Sequence, residues 1–193
     1  MNVLLGSASP RRRDLLAQMG LEFAVVSPDV DETPLGREDP VAYVRRLAVA
    51  KSAAIGPADD ATLVITADTT VDLGGDILGK PADSTEATAM LRRLSARTHR
   101  VHTGVALRRG DRTVTDVVTS LVTFVPLTAA AIEWYVGTGE PLDKAGAYAI
   151  QGAGAVLVQR VRGGVTNIVG LPLHSVVRLA GELGVALLDG LDG

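Results

Sequence analysis

The sequence predicts a chain of mixed helices and strands, an α/β protein, and three observations lead there. Apolar, β-branched runs of strand length alternate with stretches whose apolar residues recur every three or four positions. Clusters of Gly, Pro, Asp and Ser punctuate the two kinds of segment. Hydrophobic residues make up 47% of the 193, enough to bury a full core. Nothing repeats internally and no linker divides the chain, so residues 1–193 are expected to form one domain.

Val3, Leu4 and Leu5 read as a buried strand that enters Gly6-Ser7-Ala8-Ser9-Pro10-Arg11-Arg12-Arg13. Ser9 suits a helix N-cap and Pro10 the first helical position, and the helix should continue to Gly20. Free N–H groups at such a start attract anions, and guanidinium forks match phosphate oxygens. The same residues also fit an ordinary capped helix with a solvated basic turn, although cations there oppose the helix dipole.

Residues 21–27 alternate as a strand, and the acidic turn-rich segment 28–34 follows, where Asp31 and Glu32 could ligate a metal or simply face water. Helical spacing runs over residues 40–54, with Lys51 near the end as a possible C-terminal cation. Thr62-Leu63-Val64-Ile65-Thr66-Ala67-Asp68-Thr69-Thr70-Val71 reads as a central strand interrupted by a carboxylate. An ionised Asp in such a strand is costly unless it is paired, binds a metal, or stands where the strand emerges into a site. Gly74-Gly75-Asp76 predicts a hairpin whose return brings Lys80, and residues 84–98 predict a helix capped by Ser84. Residues 101–125 predict a long antiparallel hairpin. His99 and His102, three apart on a strand, point to opposite faces and do not suggest a metal site. Thr128 should cap a helix to Gly137. Residues 139–152, with Asp143, Lys144 and Gln151, suit close approach to a ligand or a structural loop. A last hairpin over 155–161 and 165–169 and a final helix over 172–184 complete the prediction.

Composition removes several functions. An aromatic content of 3% and a net charge of −3 argue against a nucleic-acid binder. The absence of cysteine excludes disulfides, thiolate zinc sites and a cysteine nucleophile. No apolar run is long enough to span a bilayer and no leader is visible, so no membrane association and a cytoplasmic location are expected. Neither a P-loop, a G-x-G-x-x-G fingerprint nor a nucleophile elbow occurs. The remaining chemistry is attack by water at phosphorus. There a divalent ion with Arg and Lys neutralises developing charge, and a carboxylate orients or deprotonates the water.

Ser7-Ala8-Ser9-Pro10-Arg11-Arg12, Ala67-Asp68-Thr69, Gly79-Lys80-Pro81, His102-Thr103-Gly104-Val105, the run 139–152 and Val169-Gly170-Leu171-Pro172 resemble the motifs of the Maf nucleoside triphosphate pyrophosphatases, in the same order. The resemblance implies an elongated, twisted mixed sheet flanked by helices around a central cleft. It implies a cytoplasmic enzyme that cleaves a nucleoside triphosphate between its α and β phosphates with a divalent cation, Mg or Mn, and that forms a homodimer. By motif position, Asp68 would be the catalytic carboxylate and would share the metal with Glu32. Arg11, Arg12, Lys51 and Lys80 would grip the triphosphate, and Ser7 would bond it from the strand end. Arg12, Thr69 and Gln151 match the branch that prefers dTTP and UTP, with modified pyrimidine triphosphates as house-cleaning targets; a glutamine amide can both donate to and accept from a pyrimidine edge. Two other outcomes stay open: an ITP/XTP pyrophosphatase, and a non-catalytic nucleotide-binding regulator of septum formation. Arg13 has no assigned role. Ser52, where the family usually has alanine, is expected on a solvated helix face.

Overall fold

The computed structural model describes residues 1–188, so positions 189–193 of the expected 1–193 domain lie outside the described residues. Strand β1 (Asn2–Gly6) leads into helix α1 (Pro10–Ala17), and β2 (Ala24–Val26) precedes helix α2 (Pro40–Ala54). The long strand β3 (Thr62–Leu73) turns back through β4 (Asp76–Leu78) to helix α3 (Ser84–Leu94). Strands β5 (Thr98–Arg109) and β6 (Arg112–Phe124) follow, then helix α4 (Ala129–Gly137) and 3-10 turns at Glu140–Asp143, Ala145–Ala147 and Ala153–Leu157. Strand β7 (Val158–Arg162), the short helix α5 (Val165–Val169) and helix α6 (Leu173–Glu182) end the described chain. The described strands form one mixed sheet in the order β2-β1-β3-β5-β6-β7, with β4 on β3, as an α/β protein requires.

Two compact units are distinguished. Unit 1 takes Met1–Asp68, Thr103–Val118 and the described residues from Gly170 onward; unit 2 takes Thr69–His102 and Thr119–Val169. The core of unit 1 includes the buried Leu5, Leu16, Leu47, Ile65, Leu107 and Leu179. That of unit 2 gathers Val71, Leu91, Leu94, Val122, Phe124 and Tyr135.

In unit 1, β1 and β3 run parallel with Gly6 beside Thr66. A Cβ at Gly6 would collide with Ile55 Cδ1 and Thr66 Cγ2, so glycine lets the two strands and the end of α2 close up. Gly104 works the same way, since a Cβ there would overlap the Val44 carbonyl on α2. The pairing of Gly6 with Thr66 therefore sets Ser7, just past the carboxyl end of β1, next to the stretch of β3 that carries Asp68, and parallel sheets hold their ligands beyond such strand ends.

Several expectations are corrected. The N-cap of α3 is Asp83, whose Oδ1 accepts from Glu86 N–H at 2.8 Å, and not Ser84, and the helix stops at Leu94. β2 is confined to Ala24–Val26, all exposed, because few neighbours cover it. Val165–Val169 is helical rather than a strand. The partner of β7 is β6, with Leu121 opposite Arg162, and the Asn167 amide donates to Val101 O at 3.0 Å and Ser120 Oγ at 2.9 Å. Those contacts override the local β propensity of the segment. Ser52 is 1% exposed rather than solvated. Arg108 reaches its Oγ at 3.3 Å and also donates to the Ser52 and Gly56 carbonyls at the end of α2.

Candidate active site

Ser9 takes the extended backbone of an N-cap and Pro10 opens α1, as the sequence indicates. The hydroxyl that organises this start belongs to Ser7, however, whose Oγ accepts from Ser9 N–H and from Arg12 Nη1, both at 3.2 Å. Arg12 also donates from Nε to the Gly170 carbonyl at 2.7 Å, which turns its guanidinium inward. Burial lowers its pKa, and the nearby charges of Asp68 and Glu32 work the other way. Arg11 is half-buried on the same turn, while Arg13 is exposed and near Asp14 at 3.9 Å.

Asp68 is 6% exposed and Lys51 7%. The Lys51 ammonium donates to Asp68 Oδ1 at 2.6 Å and stands 2.6 Å from Glu32 Oε1 as well. Lys51 is therefore not a plain helix-end cation, because its last-turn position points it across to β3. Burial pushes the Asp68 carboxyl above the usual carboxylate range; Lys51 and Arg12 oppose that, and Glu32 adds to it. A carboxylate in this state accepts a proton more readily than one in water. The sequence-predicted Ser7, Arg12, Glu32, Lys51 and Asp68 thus meet within unit 1.

Glu32 stands on a segment without regular structure that two side chains of α2 hold. Tyr43 OH donates to the Glu32 carbonyl at 2.9 Å, and Arg46 donates to Glu38 at 2.6 and 2.7 Å and to the Thr33 carbonyl at 3.2 Å. Burial, with the Asp68 and Glu32 charges, pushes the Tyr43 phenol up to about 12, so it stays a donor. Sequence reasoning missed Tyr43 because one tyrosine at core spacing looks like packing. Gly170 carried a signal, the motif Val169-Gly170-Leu171-Pro172, but a backbone acceptor leaves no side-chain trace.

The carboxylates fit a hard divalent cation. Glu32 and Asp68 present oxygens to one ammonium position, so both can reach a single ion, and magnesium uses one or two carboxylates with phosphate and water completing its shell. Among the described residues no group of three or more His, Cys, Asp or Glu could hold a metal by itself.

The other predicted residues lie in unit 2. Thr69 follows Asp68 on β3 and is half-buried, Lys80 is exposed beyond β4, and Gln151 is exposed ahead of the 3-10 turn Ala153–Leu157. Gly146 N–H donates to the Gly79 carbonyl at 3.0 Å, which joins the segment carrying Lys80 to the loop before Gln151. His99 and His102 are both buried. His99 Nε2 meets Tyr148 OH at 2.8 Å, and His102 bridges Thr119 Oγ1 and Asp72 Oδ2 at 2.8 and 3.2 Å.

Fold and site together define an α/β protein with a buried acid–cation centre on β3 beside the carboxyl end of the parallel strand β1 and an arginine-bearing helix start. The chain belongs to the family described as Maf-like protein, whose model matches residues 2–183. It is 52% identical over 185 residues to a dTTP/UTP pyrophosphatase of Myxococcus xanthus strain DK1622, covering 96% of this chain and 94% of that protein. It is 46% identical over 188 residues to a dTTP/UTP pyrophosphatase of Symbiobacterium thermophilum, covering 97% of each. A dTTP/UTP pyrophosphatase of Anaeromyxobacter dehalogenans strain 2CP-1 is 50% identical over 189 residues, covering 96% of this chain and 95% of that one.

Proposed function

We propose that this protein hydrolyses dTTP and UTP to the nucleoside monophosphate and pyrophosphate. The observation that carries the proposal is the buried Asp68 carboxylate, paired with Lys51 and within the field of Arg12. Names of relatives at 46–52% identity agree with it. In this reading a water oxygen forms a bond to the α-phosphorus, the bond to the bridging oxygen breaks, and pyrophosphate departs. Asp68 orients the water and takes its proton. Arg11, Arg12, Lys51 and Lys80 neutralise charge on the phosphates, with Ser7 donating from the strand end. A divalent ion, Mg or Mn, held by Glu32 and Asp68 with phosphate oxygens, would supply further neutralisation. Thr69 and Gln151 meet the base. Residues 1–193 act as one domain, as a homodimer in the cytoplasm; among the described residues no helix is long and apolar enough to cross a membrane.

The test is pyrophosphate release from dTTP, UTP, ITP and 7-methyl-GTP, with and without Mg or Mn. Preference for dTTP and UTP with a metal requirement is expected. A clear preference for ITP would reject the pyrimidine assignment, and release from none of the four would leave the regulator.

A further inference from the structure

The backbone around Gln151 is held on both sides by two residues to which no role has been assigned. Tyr135, fully buried on α4, donates its hydroxyl to Glu140 Oε1 at 2.7 Å and accepts from Ala149 N–H at 3.0 Å. Glu140 accepts from Gly154 N–H at Oε1, 2.9 Å, and from Ala153 N–H at Oε2, 3.0 Å. One phenol and one carboxylate therefore hold the chain two residues before Gln151 and two and three residues after it.

The glycines here make room for that arrangement. Gly152 has φ +91°, and a Cβ on it would overlap Glu140 Oε2. A Cβ on Gly154 would overlap the Ala149 carbonyl and Tyr135 OH. Protonation states support the same picture. Burial raises the Tyr135 pKa and keeps the hydroxyl a donor. Burial of Glu140 is outweighed by its hydrogen bonds from Tyr135, Gly154 and Ala153, which hold it below the usual carboxylate range. An exposed glutamine amide offers both a donor and an acceptor, so it can discriminate between bases only if its backbone is fixed.

We propose that Tyr135 and Glu140 are positioning residues that clamp the Gln151 loop and so set the base preference of the site. The proposal rests on the reading of Gln151 as the base-contacting residue. Glu140→Gln places an amide where two backbone N–H groups need acceptors, and Tyr135→Phe removes the hydroxyl shared by Glu140 and Ala149. In both variants the ratio of kcat/KM for UTP over ITP is expected to fall roughly tenfold, mostly through KM for UTP, with kcat for UTP little changed. Amide hydrogen exchange at Ala153 and Gly154 should quicken in Glu140→Gln, and at Ala149 in Tyr135→Phe. Glu140 is partly exposed, so its variant keeps the test available if the buried Tyr135→Phe fails to fold. A folded Glu140→Gln whose kcat falls equally for UTP and ITP, with the ratio intact, overturns the clamp. So does unchanged exchange at Ala153 and Gly154. A wild-type protein that cleaves neither triphosphate removes the functional reading and the proposal with it, whereas a discriminating wild type beside equally discriminating variants overturns the clamp alone.

Discussion

Around Asp68, unit 1 gathers full charges, of which Asp68, Lys51 and Arg12 are buried and Glu32 is exposed, whereas around Gln151, unit 2 fixes its chain with backbone amides donated to a single carboxylate. Every acceptor named in the second arrangement has a donor, and it behaves as ordinary structure. The first is different in kind: two carboxylates converge on one ammonium, a guanidinium is buried nearby, and the acid is driven toward its neutral form. Buried ions contribute little to stability in such clusters. The contrast teaches that unit 1 tolerates a costly buried charge cluster, the kind of group the proposed reaction needs, while unit 2 holds the shape of a loop. The histidines extend it, because unit 2 keeps His99 against Phe124 and Tyr148, at centroid distances of 5.1 and 5.3 Å, as a neutral aromatic core residue.

The strongest way to break the comparison is at Asp68. Asp68→Asn is expected to reduce pyrophosphate release by about a thousandfold while the protein stays folded and binds nucleotide. The pH dependence follows from the raised pKa. Folding disfavours the ionised acid, so wild-type stability falls relative to Asp68→Asn as pH rises from the unfolded value through the folded one. Turnover needs the ionised form and is lost as pH falls through that same raised value. Wild-type rates in the asparagine variant, or parallel stability–pH curves, would show that the acid is neither base nor electrostatically strained.

Lys51→Met sharpens the same point from the cation side. It leaves Asp68 buried without its ammonium, and a loss of about 3 kcal/mol in denaturant unfolding is expected. Part of that loss should be recovered in the Lys51→Met, Asp68→Asn double variant, since the uncompensated charge is then gone. Additive losses would mean that the pair is not coupled.

The smallest expected effect tests unit 2. Burial depresses the His99 pKa to about 4. A histidine with a depressed folded pKa stabilises fully above its unfolded value near 6.5, and that contribution is lost as pH falls from there toward 4. By about pH 5 the loss should reach about 2 kcal/mol. Thermal melts of wild type and His99→Gln between neutral pH and pH 5 should differ in slope by that amount, and identical slopes would refute a neutral buried imidazole.

Much of the fold could be read from local patterns because those patterns are repeated and strong. The helix at residues 40–54 appears as α2 with those bounds, and the run from Thr62 is β3. The turn at Gly74-Gly75 and the Thr128 cap are also present, the latter accepting from Ala131 N–H at 3.2 Å. Errors fall where neighbours outweigh local preference: the Val165–Val169 strand, the Ser84 cap, the solvated Ser52. The candidate site was legible as residue types, an acid in a greasy strand and guanidiniums at a helix start. Tyr43, Gly170, Tyr135 and Glu140 were not, because each acts through a backbone atom or on one.

The order of the chain alone determined which groups could do chemistry: cations on α1 and α2, a carboxylate where apolar side chains belong, and no thiol. Hydrophobic periodicity and turn residues are local, so they also determined most elements. Only the tertiary structure decided which charges meet. The register of β1 against β3, the glycines that let backbones close, and the turn of Lys51 toward Asp68 depend on contacts between segments distant in sequence. The energy of a buried ion is set by those contacts and not by its neighbours along the chain.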